Sequence, residues 1–463
     1  MAPFPSPLAD DPQGLRDALD ALDARMVECA LADFSSLARG KRVRRADAQA
    51  GCRLPSVLLG MTATGGSPTD LFGSVLPADY ADLAMLPDLR TLVRRPGRAN
   101  EVSVICEPGG SWYAPRYART VGAHEFSPRA ALRRVLDAYR DAGLRATVAP
   151  ELELFLLQRD QVDGLLQLHA PAHAGGSGAR EFACEQYALE RTTHFEPYFD
   201  ALYAAAGELG IALSGHLHEA ALSQYEVNFA PGDALAQADA VWRFKRLARE
   251  LAVRHGFMAS FAAKPFLDQP GTGMHWHFSV QRSDAAWPPL FATEDGASTP
   301  QLHHFIAGVQ RGAPAAMALF APNDMSYTRI ELSDASPTHA DWGEDDRHAA
   351  LRVPASTAAA RRLENRLPGG DANPYLVVAA TLALGLQGLR EARAATGGRA
   401  AAPRLPRSLP AALDALAGDG PLRQALGAPL LDLFDALKRH EHATRSAAPD
   451  PRQWDLRHLL ETA

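Results

Sequence analysis

Cysteine is scarce in this 463-residue chain, and neither sign of charge is in large excess. The four cysteines are scattered and form no CxxC pair: Cys29, Cys52, Cys106 and Cys184. This scarcity gives no indication of a disulfide framework or a thiolate zinc site, and it favours a reducing compartment. The formal net charge of −7 lacks the basic excess that is typical of nucleic-acid-binding proteins.

Long apolar runs are missing as well. The first residues, MAPFPSPLADDPQG, have no basic start followed by an apolar segment, so they give no indication of a signal peptide. The most apolar stretch, residues 375–389, is too short to span a bilayer. We therefore expect a cytoplasmic protein with neither a membrane nor a nucleic acid as partner.

The common phosphate-binding loops are also absent. Neither GxxxxGK[ST] nor GxGxxG occurs in the chain, and the zinc motif HExxH does not occur either. Any bound phosphate must therefore be held by metal ions and arginines.

The chain is longer than one compact core usually is, which predicts two domains. Apolar residues at helical spacing predict a helix over residues 15–31. From Val43 to Cys106, short β-like runs such as SVLLG and EVSVICEPGG are separated by Gly and Pro. We predict a sheet-rich domain over residues 1–118 and a larger second domain over residues 119–463.

In the second domain, strands and helices alternate. Ser127 followed by Pro128 predicts the start of a helix that runs to residue 142. Strands are predicted at 147–158, 212–218, 224–229, 273–280 and 361–367, and helices at 195–209 and 233–255. The part after Asn373 is predicted to be largely helical.

Polar side chains occupy one whole face of several predicted strands. In APELELFLL, Glu151 and Glu153 lie two residues apart, so their carboxylates point to the same face. Taken alone, this pattern also fits a solvated outer face. The same pattern recurs, however, at these positions: Glu219 and Glu226; His275, His277 and Ser279; Arg362, Glu364 and Arg366. The recurrence indicates a polar cavity that a metal ion or a bound anion must neutralise.

The candidate ligands limit the metal. Five carboxylates and one imidazole, without a thiolate, suit hard ions such as Mg²⁺ or Mn²⁺. Two such ions could neutralise a triphosphate while its terminal phosphoryl group is transferred. Arginines that could clamp a phosphate or a carboxylate are abundant nearby: Arg329, Arg347, Arg352, Arg362 and Arg366.

At this point the motifs, in their order along the chain, resemble those of the glutamine synthetase family. The matching segments are PELELFL, HEAALSQYEVN, GTGMHWHFS, MSYTR, DRHAALRVP and RRLENRL followed by NPYL. The resemblance implies an α+β fold, with an N-terminal β-grasp domain and a C-terminal catalytic domain built on an antiparallel half-barrel sheet with helices. It also implies homo-oligomers, usually dodecamers of two hexameric rings, whose active sites are completed by a neighbouring subunit.

The resemblance further implies roles for individual residues. One metal ion would be held by Glu153, Glu219 and Glu226, and another by Glu151, His275 and Glu364, with two to three ions per site. Gly271, His275 and Arg329 would contact glutamate. Ser279, Arg347, Arg352 and Arg362 would contact ATP, with Arg347 and Arg366 at the transferred phosphoryl group. The role of His277 stays open.

Three positions depart from the ammonia-using members of the family. Ala335 replaces a glutamate that helps to deprotonate ammonium, although Glu331 or Asp334 could substitute after a loop shift. Thr62 aligns with the ammonium-holding aspartate, and Pro270 stands where an asparagine contacts glutamate. Loss of negative charge at an ammonium site leaves room for a larger amine.

The resemblance therefore predicts an ATP-dependent ligase that joins glutamate to an organic amine, such as a polyamine or ethanolamine, through a γ-glutamyl phosphate. Two alternatives stay open. One is glutamine synthetase proper, which uses ammonia. The other is a regulatory paralogue that keeps the fold without turnover.

Overall fold

The computed structural model describes residues 12–49, 51–174, 176–283, 290–332 and 336–462. The chain folds into an N-terminal sheet domain and a C-terminal domain of helices around a large sheet, which confirms the predicted α+β class. The elements of the first 122 residues are α1 (Pro12–Ala21), β1 (Met26–Ala32), β2 (Ala38–Arg44), α2 (Arg45–Gln49), β3 (Arg53–Pro55), β4 (Asp82–Pro87), β5 (Val93–Arg94), β6 (Glu101–Gly109), β7 (Ser111–Ala114) and β8 (Arg119–Gly122).

The N-terminal sheet has the strand order β2-β1-β6-β4-β3, with β5 paired to β6. Its central strands β1 and β6 run parallel, whereas β1 and β2 are antiparallel. Strands β7 and β8 form a separate hairpin.

Two sequence-based predictions fail in this domain. The predicted helix over residues 15–31 is wrong in its second half, because α1 ends at Ala21 and β1 follows. Residues 27–32 are all buried, because β1 lies inside the sheet. A strand that is buried on both faces shows no alternation of apolar and polar residues, so its sequence pattern does not distinguish it from a buried helix. The β-like run SVLLG is a 3₁₀ turn over Ser56–Gly60.

The C-terminal domain contains α3, whose first residue Pro128 follows the N-cap Ser127 as predicted. Its elements are α3 (Pro128–Asp141), β9 (Leu144–Val162), β10 (Leu165–His169), α4 (Leu189–Thr193), α5 (Glu196–Glu208), β11 (Leu213–His218), β12 (Gln224–Phe229), β13 (Gly232–Asp233), α6 (Ala234–Arg254), β14 (Met258–Ser260), β15 (Met274–Arg282), α7 (Pro300–Phe320), α8 (Asp324–Glu331), β16 (Trp342–Glu344), β17 (Leu351–Val353), β18 (Leu363–Asn365), α9 (Pro374–Glu391), α10 (Leu409–Gly418), α11 (Gly420–Leu426), α12 (Ala428–Ser446) and α13 (Pro451–His458). The predicted strands and helices of this domain are confirmed, with shifted ends.

The long strand β9 organises a ten-stranded sheet. The main strand order is β11-β12-β9-β15-β18-β17-β16, and β10, β13 and β14 also pair with β9. One face of β9 is apolar: Leu152, Leu154 and Leu156 are fully buried. The opposite face carries the acidic residues, so the sheet itself separates the core from the polar cavity.

Helices α7 and α9 form the apolar layer of the domain. They approach closely at Gly308 and Gly388, where an added Cβ would lie 2.1 Å from a backbone oxygen of the other helix. In the part of the chain that the structure describes, no helix combines the length and apolar character needed to cross a bilayer.

Candidate active site

Strand register brings together acidic and histidine side chains from segments that are far apart in the chain. Glu226 of β12 lies opposite Glu153 of β9, and His275 of β15 lies opposite Glu151 of β9. On the other side of β15, its residue His277 lies opposite Glu364 of β18. The side chains therefore share one face over four neighbouring strands.

The first group of this site is centred on His275. Its Nδ1 atom lies 3.8 Å from Glu151 Oε2 and 3.8 Å from Glu364 Oε1. Ligand atoms of Glu151, Glu226 and His275 all lie within 4.8 Å of one another. A single small cation could therefore contact several of these groups at once.

Glu153 is fixed by hydrogen bonds on one carboxylate oxygen. Its Oε2 accepts from Gln224 Nε2 at 2.9 Å and from the backbone N–H of Gly273 at 2.8 Å. A Cβ added to Gly273 would lie 2.9 Å from Glu153 Oε1 and 2.7 Å from His275 Nε2. The absence of a side chain at Gly273 thus leaves room for both of these ligand atoms.

Glu219 follows the end of β11 and reaches the same cavity from its rim. Its Oε2 accepts from Gln186 Nε2 at 3.0 Å and from the backbone N–H of Ala220 at 2.9 Å. Its negative charge raises the pKa of both Glu153 and Glu226. The six predicted metal ligands are therefore gathered in one place: Glu151, Glu153, Glu219, Glu226, His275 and Glu364.

The carboxylates of this cluster disturb one another's ionisation. Burial, and then the charges of Glu219 and Glu226, raises the pKa of Glu153. Burial and the charge of Glu151 raise the pKa of Glu226 to about 7. Burial likewise raises the pKa of Glu219. Carboxylates crowded in this way need a nearby positive charge in order to ionise, and a divalent cation supplies that charge.

Glu151 and Glu364 lie at the opposite, electropositive side of the cluster. Burial acts to raise the pKa of Glu151, but hydrogen bonds from His275 and His277 outweigh burial and lower this pKa. Burial also acts to raise the pKa of Glu364, but the charges of His275 and Arg366 outweigh burial and lower this pKa. These two carboxylates stay ionised and available as ligands.

The donor set fits hard divalent ions. It consists of carboxylate oxygens and imidazole nitrogens, and cysteine takes no part. Such ligands suit Mg²⁺ or Mn²⁺ better than a soft metal. The same residues that were selected from the sequence could therefore hold these ions, and their assignment as metal ligands stays a proposal.

His277 is the residue whose role the sequence left open. Its Nε2 atom lies 2.8 Å from Glu151 Oε1, and its Nδ1 accepts from Arg362 Nε at 3.1 Å. Ligand atoms of His277, Glu151 and Glu364 also lie within 4.8 Å of one another. The sequence contained a signal for this role. Apolar residues alternate with His275 and His277 along the strand, so the two histidines lie on the same face.

Two of the predicted phosphate-binding arginines lie directly on the acid cluster. Arg366 Nη1 is 2.6 Å from Glu364 Oε1, and Arg352 Nη1 is 3.0 Å from Glu364 Oε2. Arg352 also contacts Asp345. Arg347 is exposed, and its charge acts on the Glu219 carboxylate. Three arginines therefore surround the cluster on one side.

Arg329 enters from α8 and is almost fully buried. Its Nη2 donates to the backbone oxygen of Leu367 at 2.8 Å, whereas its Nε has no hydrogen-bond partner among the described residues. Gly271 packs against it, because an added Cβ there would lie 2.6 Å from Arg329 Cγ and 2.2 Å from the Ala263 oxygen. A buried guanidinium with an unused donor is a suitable carboxylate-binding group.

The remaining predicted residues lie apart from the acid cluster. Ser279 is on β15, opposite Thr147 and two residues beyond His277, and is partly exposed. Pro270 is exposed at the end of the loop before β15. Ala335, with the alternative Asp334, lies outside the described residues.

Thr62 is buried in a loop of the N-terminal domain, where its hydroxyl bonds Gly66 O at 3.0 Å. The next residue, Ala63, donates its N–H to Glu441 Oε1 of α12 at 2.7 Å. Among the bonds of the described residues, none joins Thr62 to the acid cluster of its own chain.

The family model described as "Glutamine synthetase, catalytic domain" matches residues 125–458. The chain is 32% identical over 372 residues to "Gamma-glutamylputrescine synthetase PuuA" of Escherichia coli (strain K12), covering 79% of this chain and 76% of that protein. It is also 32% identical over 330 residues to the glutamine synthetase of Thermococcus kodakarensis, covering 68% and 71%. A glutamate–isopropylamine ligase of Pseudomonas sp. is 29% identical over 382 residues, covering 81% and 80%.

A solved structure of GmaS without ligand superposes with a TM-score of 0.76 at 27% identity, covering 95% of this chain and 97% of that chain. Fold, site and similarity together define the class of protein: an ATP-dependent carbon–nitrogen ligase. Within that class, the chain belongs to the glutamine synthetase family.

Proposed function

We propose that the protein joins the γ-carboxylate of glutamate to an organic amine, with ATP as the phosphoryl donor. The observation that carries the choice of an organic amine is the neutral Thr62 where ammonia-using relatives hold ammonium with an aspartate. The names of two relatives agree with it, since one refers to γ-glutamylputrescine and the other to isopropylamine.

The proposed reaction has two steps. An oxygen of the γ-carboxylate attacks the terminal phosphorus of ATP, which forms an acyl phosphate and releases ADP. The amine nitrogen then attacks the acyl carbon, the bond to phosphate breaks, and the nitrogen loses a proton. The acyl phosphate is needed because a carboxylate is a poor electrophile.

Residues around the cluster have separate roles in this scheme. Arg329 binds the substrate carboxylate, and the neighbouring Gly271 and His275 shape the space for glutamate. Arg366 and Arg347 stabilise negative charge on the transferred phosphoryl group. Ser279, Arg352 and Arg362 contact the nucleotide. Bound at Glu151, Glu153, Glu219, Glu226, His275 and Glu364, two to three Mg²⁺ or Mn²⁺ ions would neutralise phosphate charge.

We also propose that active sites are shared between copies of the chain. The loop that carries Thr62 is held against α12 of the same subunit by the bond from the Ala63 N–H to Glu441. A homo-oligomer, such as a dodecamer, would place this loop at the amine side of a neighbouring site. The proposed domain limits, 1–118 and 119–463, put this loop in the N-terminal unit, and the expected location of the enzyme is the cytoplasm.

The function is tested with the purified full-length protein, ATP, Mg²⁺ and glutamate. Phosphate release is measured with ammonia, putrescine, isopropylamine and ethanolamine, and the γ-glutamyl amide is identified by mass spectrometry. We expect an organic amine to give the highest kcat/KM. The variant Glu364→Gln serves as the inactive control.

Two other results would contradict the proposal. The highest kcat/KM with ammonia would identify a glutamine synthetase proper. ATP binding without phosphate release for every amine would identify a regulatory paralogue.

A further inference from the structure

The loop that joins β18 to α9 consists of residues 366–373 and begins at the acid cluster, where Arg366 contacts Glu364. The backbone oxygen of its second residue, Leu367, accepts a hydrogen bond from Arg329 Nη2 at 2.8 Å. Two of the arginines that are proposed to contact substrate therefore meet at this loop. Its position relative to α8 decides how far apart their guanidinium groups lie.

Further along the same loop, Asp371 attaches the loop to the N-terminal end of α8. Its Oδ2 atom accepts from Asn323 Nδ2 at 2.8 Å and from Ser326 Oγ at 2.6 Å. Asn323 is the N-cap of α8, and Ser326 lies in the first turn of this helix. All three side chains are buried, and a hydrogen bond in such surroundings is electrostatically stronger than in water. Asp371 therefore clamps the loop to the helix that carries Arg329.

The negative charge of Asp371 also acts on Arg329 directly. A Cβ added to Gly369 would lie 2.5 Å from Asp371 Oδ1 and 3.7 Å from Arg329 Nε, so both groups border the same small space. Burial lowers the pKa of Arg329, whereas the charges of Asp371 and Glu153 act to raise it. Of these two carboxylates, Asp371 lies outside the proposed set of metal ligands.

A buried lysine fixes the orientation of Asn323. Lys438 Nζ of α12 donates to Asn323 Oδ1 at 3.2 Å and to Glu441 Oε2 at 2.7 Å. The other oxygen of Glu441 accepts the backbone N–H of Ala63 at 2.7 Å. Because an ammonium group can only donate, it holds the amide oxygen of Asn323, and the amide nitrogen is directed to Asp371.

We propose that Asp371 is a positioning residue for the binding of the substrate carboxylate. It fixes the guanidinium of Arg329 relative to that of Arg366 by clamping the loop to α8. Its negative charge also keeps Arg329 from turning towards Glu153 and the acid cluster. The inference rests on the proposed role of Arg329 as the group that binds the carboxylate of glutamate. Asp371 itself contacts neither substrate nor metal in this scheme.

The test measures steady-state kinetics of the full-length enzyme, with glutamate varied at saturating ATP, Mg²⁺ and amine. Asp371→Ala removes the clamp. Asp371→Asn keeps the shape and one acceptor oxygen but removes the charge, and a charged acceptor makes a hydrogen bond about twice as strong as a neutral one. We expect Asp371→Ala to raise the KM for glutamate about tenfold or more, and Asp371→Asn to raise it by a smaller factor of about three or more.

Two further readouts separate positioning from a general loss of structure. The KM for ATP should stay within about twofold of the wild-type value, and kcat at saturating glutamate should fall less than the KM for glutamate rises. Melting temperatures show whether each variant is folded, and Asp371→Asn decides the question if Asp371→Ala does not fold.

Asp324→Asn is the matched control for these variants. The Asp324 carboxylate lies on the same helix, but it pairs with His442 at 2.8 Å and takes no part in the clamp. This variant should keep the wild-type KM for glutamate.

Three kinetic results would overturn the inference. The first is an unchanged KM for glutamate in both Asp371 variants. The second is an equal rise in the KM for ATP, which would indicate a structural role only. The third is the same rise in the KM for glutamate in Asp324→Asn.

A wild type that releases no phosphate with any amine would contradict the proposed function, and titration calorimetry with glutamate then decides the inference separately. A higher Kd in Asp371→Asn than in the wild type supports it. An equal Kd in both proteins, or a wild type that does not bind glutamate, overturns it.

Discussion

At the scale of single residues, the site depends on space as much as on charge. Gly273 has no side chain, and a Cβ there would lie 2.7 Å from His275 Nε2 and 2.9 Å from Glu153 Oε1. It also donates its N–H to Glu153 Oε2 at 2.8 Å. One residue thus fixes the position of a carboxylate and leaves room for its neighbour.

We predict that Gly273→Ala lowers kcat/KM by about 10²-fold or more, because the new methyl group displaces two ligand side chains and such misplacement is costly. The apparent affinity for Mn²⁺ should fall in parallel, measured by activity titration. Gly215→Ala on strand β11 is the control, since the nearest atom would be 4.0 Å from its added Cβ. Equal activity of the two variants would contradict the prediction.

His277 is expected to act by holding Glu151. We predict that His277→Gln weakens metal binding about 10–100-fold, as is typical for partners that orient a metal ligand. The measurement is Mn²⁺ titration of the ligase activity. His216→Gln provides the comparison, because His216 stacks on Phe199 and bonds Tyr203 away from the cluster. An unchanged metal affinity in His277→Gln would exclude this role.

The residue scale was largely accessible from the sequence. Alternation in APELELFLL and GTGMHWHFSV identified Glu151, Glu153 and His275, because a strand sends alternate side chains to one face. The same alternation marked His277 without deciding its role. That decision required the distances from His277 to Glu151 and Arg362.

At the scale of elements, strand β9 carries the site and helix α6 packs against this strand. β9 presents its glutamates to the cavity and its leucines to the core. Helix α6 packs behind β9 and buries Lys245 completely, with its Nζ donating to the Ala372 oxygen at 3.1 Å. A buried ammonium without a carboxylate is unfavourable, and burial lowers the pKa of Lys245 to about 7.

We predict that Lys245→Met changes how stability depends on pH. Between about pH 7 and 10 the unfolded chain binds a proton at Lys245 that the folded chain does not, so wild-type stability rises with pH by up to about 1.4 kcal/mol per unit. Lys245→Met should lose this contribution, and its advantage over the wild type should be largest below pH 7.

The measurement is the free energy of unfolding in urea at several pH values. Lys41→Met, at an exposed position, is the control and should keep the wild-type slope. If the free energies of unfolding of Lys245→Met and the wild type change in parallel from pH 7 to 10, Lys245 is not the group that titrates.

At the scale of the whole molecule, a buried arginine joins the two domains. Arg129 of α3 contacts Asp239 of α6 at 2.8 Å. It also reaches Asp88 at 2.9 Å and Glu107 at 3.2 Å, both in the N-terminal domain. Tyr375 of α9 donates to the same Asp239 carboxylate at 2.7 Å.

We predict that Arg129→Met destabilises the protein by about 3–5 kcal/mol, because it removes the buried guanidinium that three buried carboxylates share. In the wild type, burial acts to raise the pKa of Asp88, but hydrogen bonds from Arg90 and Arg129 outweigh burial and lower this pKa to about 2. This stabilisation is present above the unfolded pKa of about 4 and is lost as the pH falls towards 2.

The difference in the free energy of unfolding between Arg129→Met and the wild type should therefore decrease as the pH falls from about 4 towards 2. Urea unfolding at pH 7 and at pH 3 measures it, with the exposed Arg140→Met as the control. A loss below 1 kcal/mol at pH 7 would show that this network does not hold the domains together.

The sequence by itself determined the chemistry: the types of ligand, the arginines and the strand alternation that directs them to one face. It did so because side-chain direction in a strand is a local property. The tertiary structure alone decided which groups meet. Strand order and register placed β12 and β15 beside β9 and β18 beside β15, and they brought His277 to Glu151. Such pairings depend on long-range packing, and for the same reason the fully buried strand β1 could not be distinguished from a helix by its local pattern.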